Sequence, residues 1–165
     1  MSYSSSDASV ASVNATTGEV TIVGSGSAVI TATVTDGPNY TYATRTAAYT
    51  LTVGTAGMNV TATGYSGTYD GQSHGITLTV PDGATVKYGT TEGSYTLTAS
   101  PTYTDAGNYI IYYEVTKANY ATVTGSQTVV ISKASGSLSY ASVSVSRTYG
   151  DGAFTNPLTL TGDGA

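Results

Sequence analysis

Hydrophobic and polar residues alternate in short runs along the whole chain. Within each run, Val, Ile, Leu, Tyr and Ala alternate with Thr and Ser, which is the period of a half-buried β-strand. Turn signals rich in Gly, Asp and Asn separate the runs at intervals of about ten residues. The runs are EVTIV (19–23), SAVITATV (27–34), AAYTLTV (47–53), MNVTATGY (58–65), GITLTV (75–80), ATVKYG (84–89), NYIIYYEV (108–115), SQTVVIS (126–132), LSYASVSV (138–145) and NPLTLTG (156–162). This spacing predicts an all-β fold of antiparallel sandwiches without helices.

Composition supports the all-β prediction and limits the possible partners. Thr, Ser, Val, Tyr and Gly dominate, whereas only 9% of the residues are charged. The chain has no cysteine, so its cores must be held by packing and ladder hydrogen bonds. A net charge of −5 argues against a nucleic acid partner. The sequence shows no membrane-spanning run, signal or anchor motif, so we expect no membrane insertion.

An internal repeat organises the chain. Residues 26–53 and 107–131 both contain a glycine, an apolar strand ending in Val-Thr, a turn ending in Asn-Tyr (Asn39-Tyr40 and Asn119-Tyr120) and a final apolar strand. The stretch after residue 137 aligns with 58–84, since Thr148-Tyr149 matches Thr68-Tyr69 and LTLT at 158–161 matches ITLT at 76–79. The chain therefore contains half of one repeat, then one whole repeat, then half of a third.

Three segments follow from this alignment. We expect residues 1–53 to be the C-terminal part of an immunoglobulin-like repeat, 57–134 a complete repeat, and 137–165 the N-terminal two strands of a third. On this prediction one sandwich is complete and one is split between the chain ends. The sequence is then an engineered or excised fragment of a longer repeat array.

The stretch YSSSDASVASVNATTGEVTIVGSGSAVITATV (3–34) resembles the bacterial immunoglobulin-like group 2 repeat of invasin- and intimin-type surface adhesins. TYDGQSHGITLTV and RTYGDGAFTNPLTL resemble the Tyr-Asp-Gly and Tyr-Gly-x modules that accompany such repeats. The resemblance implies an extracellular parent protein at the bacterial cell surface, built of rod-forming modules, with a host protein or glycan as a possible ligand. It implies no catalytic residues. YTDAGNYII (103–111) resembles the tyrosine corner of immunoglobulin sandwiches, with Tyr109 as the corner residue.

No catalytic, metal or cofactor site is predicted. His74 is the only histidine, and we expect a loop or turn role for it. The aspartates beside glycines read as turn caps, without the spacing of a calcium loop. The tyrosines could form a sugar-stacking platform, but core and cross-strand packing is the simpler interpretation.

Each half-repeat needs a partner, and the other half is its best match. We expect residues 137–165 to dock on 1–53 of the next chain, giving a head-to-tail homopolymer of the chain with itself. The alternative is a monomeric adhesin or stalk module that binds a protein or glycan. The predicted donor residues are Leu138, Tyr140, Val143, Val145, Tyr149, Phe154, Leu158 and Leu160. The predicted acceptor residues are Tyr3, Val10, Val13, Val20, Ile22, Val29, Ile30, Val34, Tyr49, Leu51 and Val53.

Overall fold

Every regular element in the computed structural model is a β-strand, within the residues that it describes: 1–140, 144–155 and 158–161. The all-β fold class is therefore confirmed. The strands are β1 (Ser2–Ser5), β2 (Ala11–Val13), β3 (Val20–Ile22), β4 (Gly26–Thr33), β5 (Thr46–Val53), β6 (Thr61–Thr63), β7 (Tyr65–Thr68), β8 (Thr77–Thr79), β9 (Thr85–Gly89), β10 (Gly107–Thr116), β11 (Val123–Ser132), β12 (Ser137–Tyr140) and β13 (Leu158–Thr161).

The N-terminal unit (residues 1–53) consists of two small antiparallel sheets. One sheet has the order β1-β4-β5, and the other is the β2–β3 hairpin. Alternate side chains of β4 point between the sheets, where Ala28 and Ile30 are buried together with Val10 and Ala11. This small cluster is the core of the unit.

The central unit (residues 57–134) has the same two-layer arrangement with more strands. Its larger sheet has the order β7-β11-β10-β9, and its smaller sheet pairs β6 with β8. The two layers enclose a core built on alternate residues of the long strands β10 and β11. The buried members of this core are Ile76, Ile111, Tyr113, Val115, Val129 and Ile131.

One pairing departs from the antiparallel prediction. Strand β7 runs parallel to β11, with Tyr65 opposite Val129 and Thr68 opposite Ser132. The chain enters the central unit through β6 and then β7, and it leaves along β11. Because β7 and β11 run in the same direction, the entry and exit of this unit lie at opposite ends of the sheet.

The predicted strand at 58–65 is divided into two by Gly64. Strand β6 before this glycine pairs with β8, and strand β7 after it pairs with β11. A side chain at Gly64 would collide with the carbonyl of Thr128. Close approach of two backbones therefore moves the chain from one sheet to the other at this position.

The C-terminal segment (residues 137–165) contains a two-stranded antiparallel pair. Strands β12 and β13 pair with each other, with Leu138 opposite Leu160 and Tyr140 opposite Leu158. The strand predicted at 138–145 begins one residue earlier and is described as far as Tyr140, while 144 and 145 lie outside any strand. The predicted strand at 156–162 is observed at 158–161, and its two ends lie outside the described residues.

Candidate functional site

The candidate site is the free edge of β5. Strands β4 and β5 pair in the same register as β10 and β11: Gly26 faces Val53, and Gly107 faces Ile131. These are the first and last residues of the repeat seen in the sequence. In the central unit, the outer edge of β11 is covered by β7. In the N-terminal unit, β5 is the last strand of its sheet, so the equivalent edge has no neighbouring strand among the described residues.

A shallow apolar groove adjoins this edge. It has a volume of about 220 Å³ and is lined by Tyr3, Gly18, Ile30 and Tyr49, with three alanines between them. Ile30 and Tyr49 are cross-strand partners on the core side of the sheet. Ile30 is buried, but Tyr49 remains 55% exposed, so this face is only partly covered.

Ile22 marks a second uncovered position on the N-terminal unit. It stands four residues before Gly26, and Tyr103 stands four residues before the equivalent Gly107. The backbone of Tyr103 exchanges two hydrogen bonds of 2.9 Å with His74, on the chain that leads into β8. Among the described residues, no segment equivalent to the one at His74 pairs with Ile22. The Ile22 side chain is 55% exposed.

The structure distributes the predicted acceptor residues between core, border and surface. Val10 and Ile30 are buried, and Ile22, Val29 and Tyr49 are exposed. The remaining acceptor residues are half-buried: Tyr3, Val13, Val20, Val34, Leu51 and Val53. Val29 points away from the face that Ile30 occupies, because neighbouring residues of a strand point to opposite sides. The two therefore do not line one surface.

The described donor side chains are all exposed. Leu138 is 67% exposed, and Val145, Phe154 and Leu158 each expose about half of their surface, while Tyr149 is fully exposed. The guanidinium carbon of Arg147 lies 4.5 Å from the centre of the Phe154 ring. Val143 lies outside the described residues, as do the side chains of Tyr140 and Leu160.

The β12–β13 pair differs in register from its counterpart in the central unit. Leu78 of β8 faces Ala62 of β6. Leu160 aligns with Leu78, but it faces Leu138, four residues earlier than the position equivalent to Ala62. A shift by an even number of residues keeps every side chain on its original face. The apolar side of the donor strands is therefore the same in both registers.

Tyr109 makes the contacts of a corner residue at the start of β10. Its hydroxyl donates a hydrogen bond to the carbonyl oxygen of Asp105 at 3.2 Å. Its ring stacks on Tyr103, with 3.8 Å between the ring centroids, and covers the backbone at Gly107. The turn before β10 is thereby fixed to the layer beneath it. The stacking of Tyr103 on Tyr109 could not be predicted from the sequence, because it joins a loop residue to a strand residue and no alternation pattern relates the two.

His74 has a packing and turn role rather than a place in a reactive cluster. Its ring stacks on Tyr65 at 3.6 Å, and Nε2 lies 3.0 Å from Oδ1 of Asp70. The hydrogen bond from His74, helped by the backbone N–H of Gln72, lowers the pKa of Asp70 below its ordinary value. Within the described part of the chain, no three His, Asp or Glu side chains converge as a metal site would require.

Comparison with known families places a match on the N-terminal unit. Residues 1–37 match the model of the intimin immunoglobulin-like domain. A search of curated proteins gave no match. The family match supports a bacterial immunoglobulin-like module of the kind found in surface adhesins, a family that is typically non-enzymatic. Among the described residues there is no helix with the length and hydrophobicity to cross a membrane.

Proposed function

We propose that this chain is a non-enzymatic structural protein that assembles head to tail by strand complementation. Residues 137–165 of one chain dock on the N-terminal unit of the next and complete its sandwich. The observation that carries the proposal is the free edge of β5. Strand β5 pairs with β4 in the same register as β11 pairs with β10. In the central unit, β7 pairs with the edge of β11 that corresponds to this free edge.

The alignment assigns a specific segment to that edge. Tyr65–Thr68 of β7 aligns with residues 145–148, which lie outside any strand. In the central unit Tyr65 pairs with Val129, and Val129 aligns with Leu51. Val145 of the donor would therefore pair in parallel with Leu51 of the acceptor. Strand addition of this kind gives affinity through main-chain hydrogen bonds and specificity through alternate side chains.

Apolar burial supplies the driving force. Each large apolar side chain that leaves water contributes about 1.5 to 3 kcal/mol. Docking would cover several on each side, among them Val145 and Phe154 of the donor and Ile22 and Tyr49 of the acceptor. Together they offset an association cost of about 4 to 15 kcal/mol. An interface that joins two parts of one core is of the large apolar type, above roughly 2,000 Å².

The parallel β7–β11 pair favours a partner in another molecule. The N-terminal unit and the C-terminal segment are attached to opposite ends of the central sheet, whose longest strands have ten residues. Ten residues of strand span about 33 Å. The linkers GTAG (54–57) and ASGS (134–137) each reach at most about 14 Å. Closure within one chain is therefore strongly disfavoured, whereas closure between chains needs no long linker.

Adjacent substitutions on the donor strand test the proposal. Tyr65 is half-buried and Ser66 is exposed, so Val145 should face the core of the completed unit and Ser146 the solvent. We expect wild-type chains at tens of micromolar (roughly 10 to 50 µM) to elute as oligomers, with the mass measured by light scattering. Val145→Asp should weaken assembly at least about tenfold, since it buries a charge. Ser146→Asp should leave assembly unchanged.

Deletion gives a second arm of the same test. A chain without residues 137–165 should be monomeric, and a peptide of that segment added to wild-type chains should cap them and shorten the oligomers. A monomeric wild type, or equal effects of the two aspartate substitutions, would contradict the proposal.

The second candidate is a monomeric stalk or adhesive module of a bacterial surface protein. The match of residues 1–37 to the intimin domain favours it. This candidate predicts a wild-type monomer at the same concentrations and a ligand that is a protein or a glycan.

A further inference from the structure

A short joint connects the N-terminal and central units. Asn119 sits at the turn between β10 and β11, with the backbone in the left-handed region at φ 68°. Its side-chain Oδ1 accepts hydrogen bonds from the N–H of Ser25 at 2.9 Å and from the Ser25 hydroxyl at 3.2 Å. A loop of the first unit is thus held by a turn of the second.

The linker between the units joins the same turn. The N–H of Ala56 donates to the carbonyl of Asn119 at 2.9 Å, and the N–H of Ala121 donates to the carbonyl of Ala56 at 2.9 Å. This forms a parallel bridge between Ala56 and Tyr120. The Lys117 ammonium lies 4.8 Å from the centre of the Tyr120 ring. The joint therefore consists of one loop, one linker residue and one Asn-Tyr turn.

Each part of this joint has an equivalent elsewhere in the chain. Asn119-Tyr120 aligns with Asn39-Tyr40 in the turn between β4 and β5. The loop Gly24-Ser25 aligns with Asp105-Ala106, because each precedes the aligned glycine of β4 or β10. The alignment of the C-terminal segment with the central unit places Gly136 opposite Ala56. All three parts of a second joint are present. The loop and the linker lie at the exit end of the central unit, where Gly107 pairs with Ile131, and the third part is the Asn39-Tyr40 turn of the N-terminal unit.

The Asn39-Tyr40 turn is available for such a contact. Tyr40 is 74% exposed, and the Asn39 side chain makes no hydrogen bond among the described residues. The loop around it is braced from within. Asp36 forms an ion pair with Arg45 at 2.6 Å and accepts a hydrogen bond from the N–H of Tyr42 at 3.0 Å. The turn is uncovered, but its conformation differs from that of the equivalent turn: Asn39 does not have the positive φ of Asn119, so binding would have to move its backbone into the left-handed region.

We infer that the Asn39-Tyr40 turn of one chain binds the Asp105-Ala106 loop and the Gly136 linker of another copy of this chain, reproducing the joint observed at Asn119. The inference rests on the proposed head-to-tail assembly, because the donor segment brings Gly136 and the loop of its own central unit to the acceptor. It adds a second, polar contact to the apolar one. This contact fixes the angle between successive units in the way that Asn119 fixes it within the chain.

A substitution at Ala106 can test the inference by strengthening assembly, whereas a substitution at Asn39 tests it by weakening assembly. Ser25 donates twice to Asn119, through its N–H and its hydroxyl. Its equivalent Ala106 has no hydroxyl and can donate only through its N–H. Ala106→Ser should therefore restore the second hydrogen bond and strengthen assembly about twofold to fivefold. Asn39→Ala removes the acceptor of the N–H bond and should weaken assembly about threefold to tenfold.

The experiment measures the self-association constant of full-length chains by analytical ultracentrifugation, for wild type, Asn39→Ala, Ala106→Ser and the double variant. The gain from Ala106→Ser should vanish in the Asn39→Ala background, because the two residues act on one contact. Asn39→Asp, which keeps an acceptor oxygen, should assemble like wild type. Circular dichroism of each variant establishes that its fold is retained.

The outcomes separate this inference from the function on which it rests. If wild-type chains remain monomeric, both are overturned. If wild-type chains assemble but the association constant is insensitive to Asn39→Ala and Ala106→Ser, or if the two effects simply add, only the joint is overturned. An Asn39→Asp chain as weak as Asn39→Ala also contradicts it.

Discussion

At the scale of single residues, tyrosines cover glycines. The rings of Tyr3, Tyr109 and Tyr113 lie against Gly18, Gly107 and Gly125 respectively, so closely that a methyl group at the glycine would collide with the ring. Tyr113 and Gly125 are cross-strand partners. A glycine in a strand leaves backbone uncovered, and an aromatic neighbour restores the missing contact. This packing gives three of the chain's 15 tyrosines a structural role.

The ionisation of one residue, Asp70, makes the stability of the fold depend on pH. Its pKa lies below the ordinary value of 3.8, chiefly because of the hydrogen bond from His74. A carboxyl with a lower pKa in the folded than in the unfolded chain stabilises the fold above its unfolded pKa. That contribution is lost as the pH falls through the folded-state pKa. We expect the unfolding free energy to decrease as the pH falls below 3.8.

Replacing His74 tests this assignment. His74→Ala should raise the pKa of Asp70 toward its ordinary value and flatten part of the acid loss of stability. The Asp70 pKa is measured by NMR titration of its carboxyl carbon, and stability by urea unfolding at neutral pH and at about pH 3. His74→Gln, which retains a side-chain donor, is the matched control. An Asp70 pKa that does not respond to His74→Ala would show that the turn backbone alone lowers it.

At the scale of elements, alternation located the strands but not their partners. The runs at 27–34 and 47–53 became β4 and β5 with ends shifted by one residue. Strand β1 was missed because SYSS carries too few apolar residues for a period-two signal. The division at Gly64 and the parallel β7–β11 pair depend on which backbone lies alongside, which no local pattern encodes.

The candidate site shows the same division between local and long-range information. The repeat alignment alone predicted that β5 and the donor segment are parts of equivalent sandwiches. It could not separate Val29 from Ile30, because which side of β4 faces the core depends on packing. It also gave no indication that Asn119 contacts Ser25, since the two lie 94 residues apart and the repeat marks the Asn-Tyr turn without marking its partner.

The start of β4 requires a glycine at position 26, and this requirement can be tested by substitution. Its φ of +141° is a conformation that residues with side chains rarely adopt, and a Cβ there would lie 2.7 Å from Cγ2 of Val10 in the core. Gly26→Ala should destabilise the N-terminal unit by about 1 to 3 kcal/mol. Urea unfolding, with hydrogen exchange of the β4 amides, measures the change. Gly54→Ala has open space around it and is the control. Equal stability of the two variants would contradict this role of Gly26.

At the scale of the whole molecule, the two units differ in how fully their cores are enclosed. The buried core of the central unit includes Ile111, Val115 and Val129, all essentially inaccessible to solvent. In the N-terminal unit, the alignment partner of Ile111 is Ile30, which borders an open groove. The same strand pair is thus enclosed in one unit and half-open in the other. Assembly would make the two units alike.

The sparse charge of the chain leads to a prediction about salt. The N-terminal unit contains Asp7, Glu19, Asp36 and Arg45 as its only charged side chains, and the proposed interface is apolar and main-chain in character. We expect the association constant to change less than about threefold between about 0.05 M and about 1 M NaCl, since screening acts on charges. Light scattering across that range measures it. Dissociation at high salt would contradict an apolar interface.

The parallel pairing of β7 with β11 also determines how the central unit responds to a pull on its ends. The chain enters through β6 and then β7 and leaves along β11, so a stretching force slides β7 and β11 past each other lengthwise. All the hydrogen bonds between them then carry the load together, in shear, and none can be opened before the rest. If Val145 pairs with Leu51 in the same sense, the non-covalent joint between chains is loaded in this geometry too. A filament of this protein would then resist tension at its joints in the way that it resists tension within its folded units.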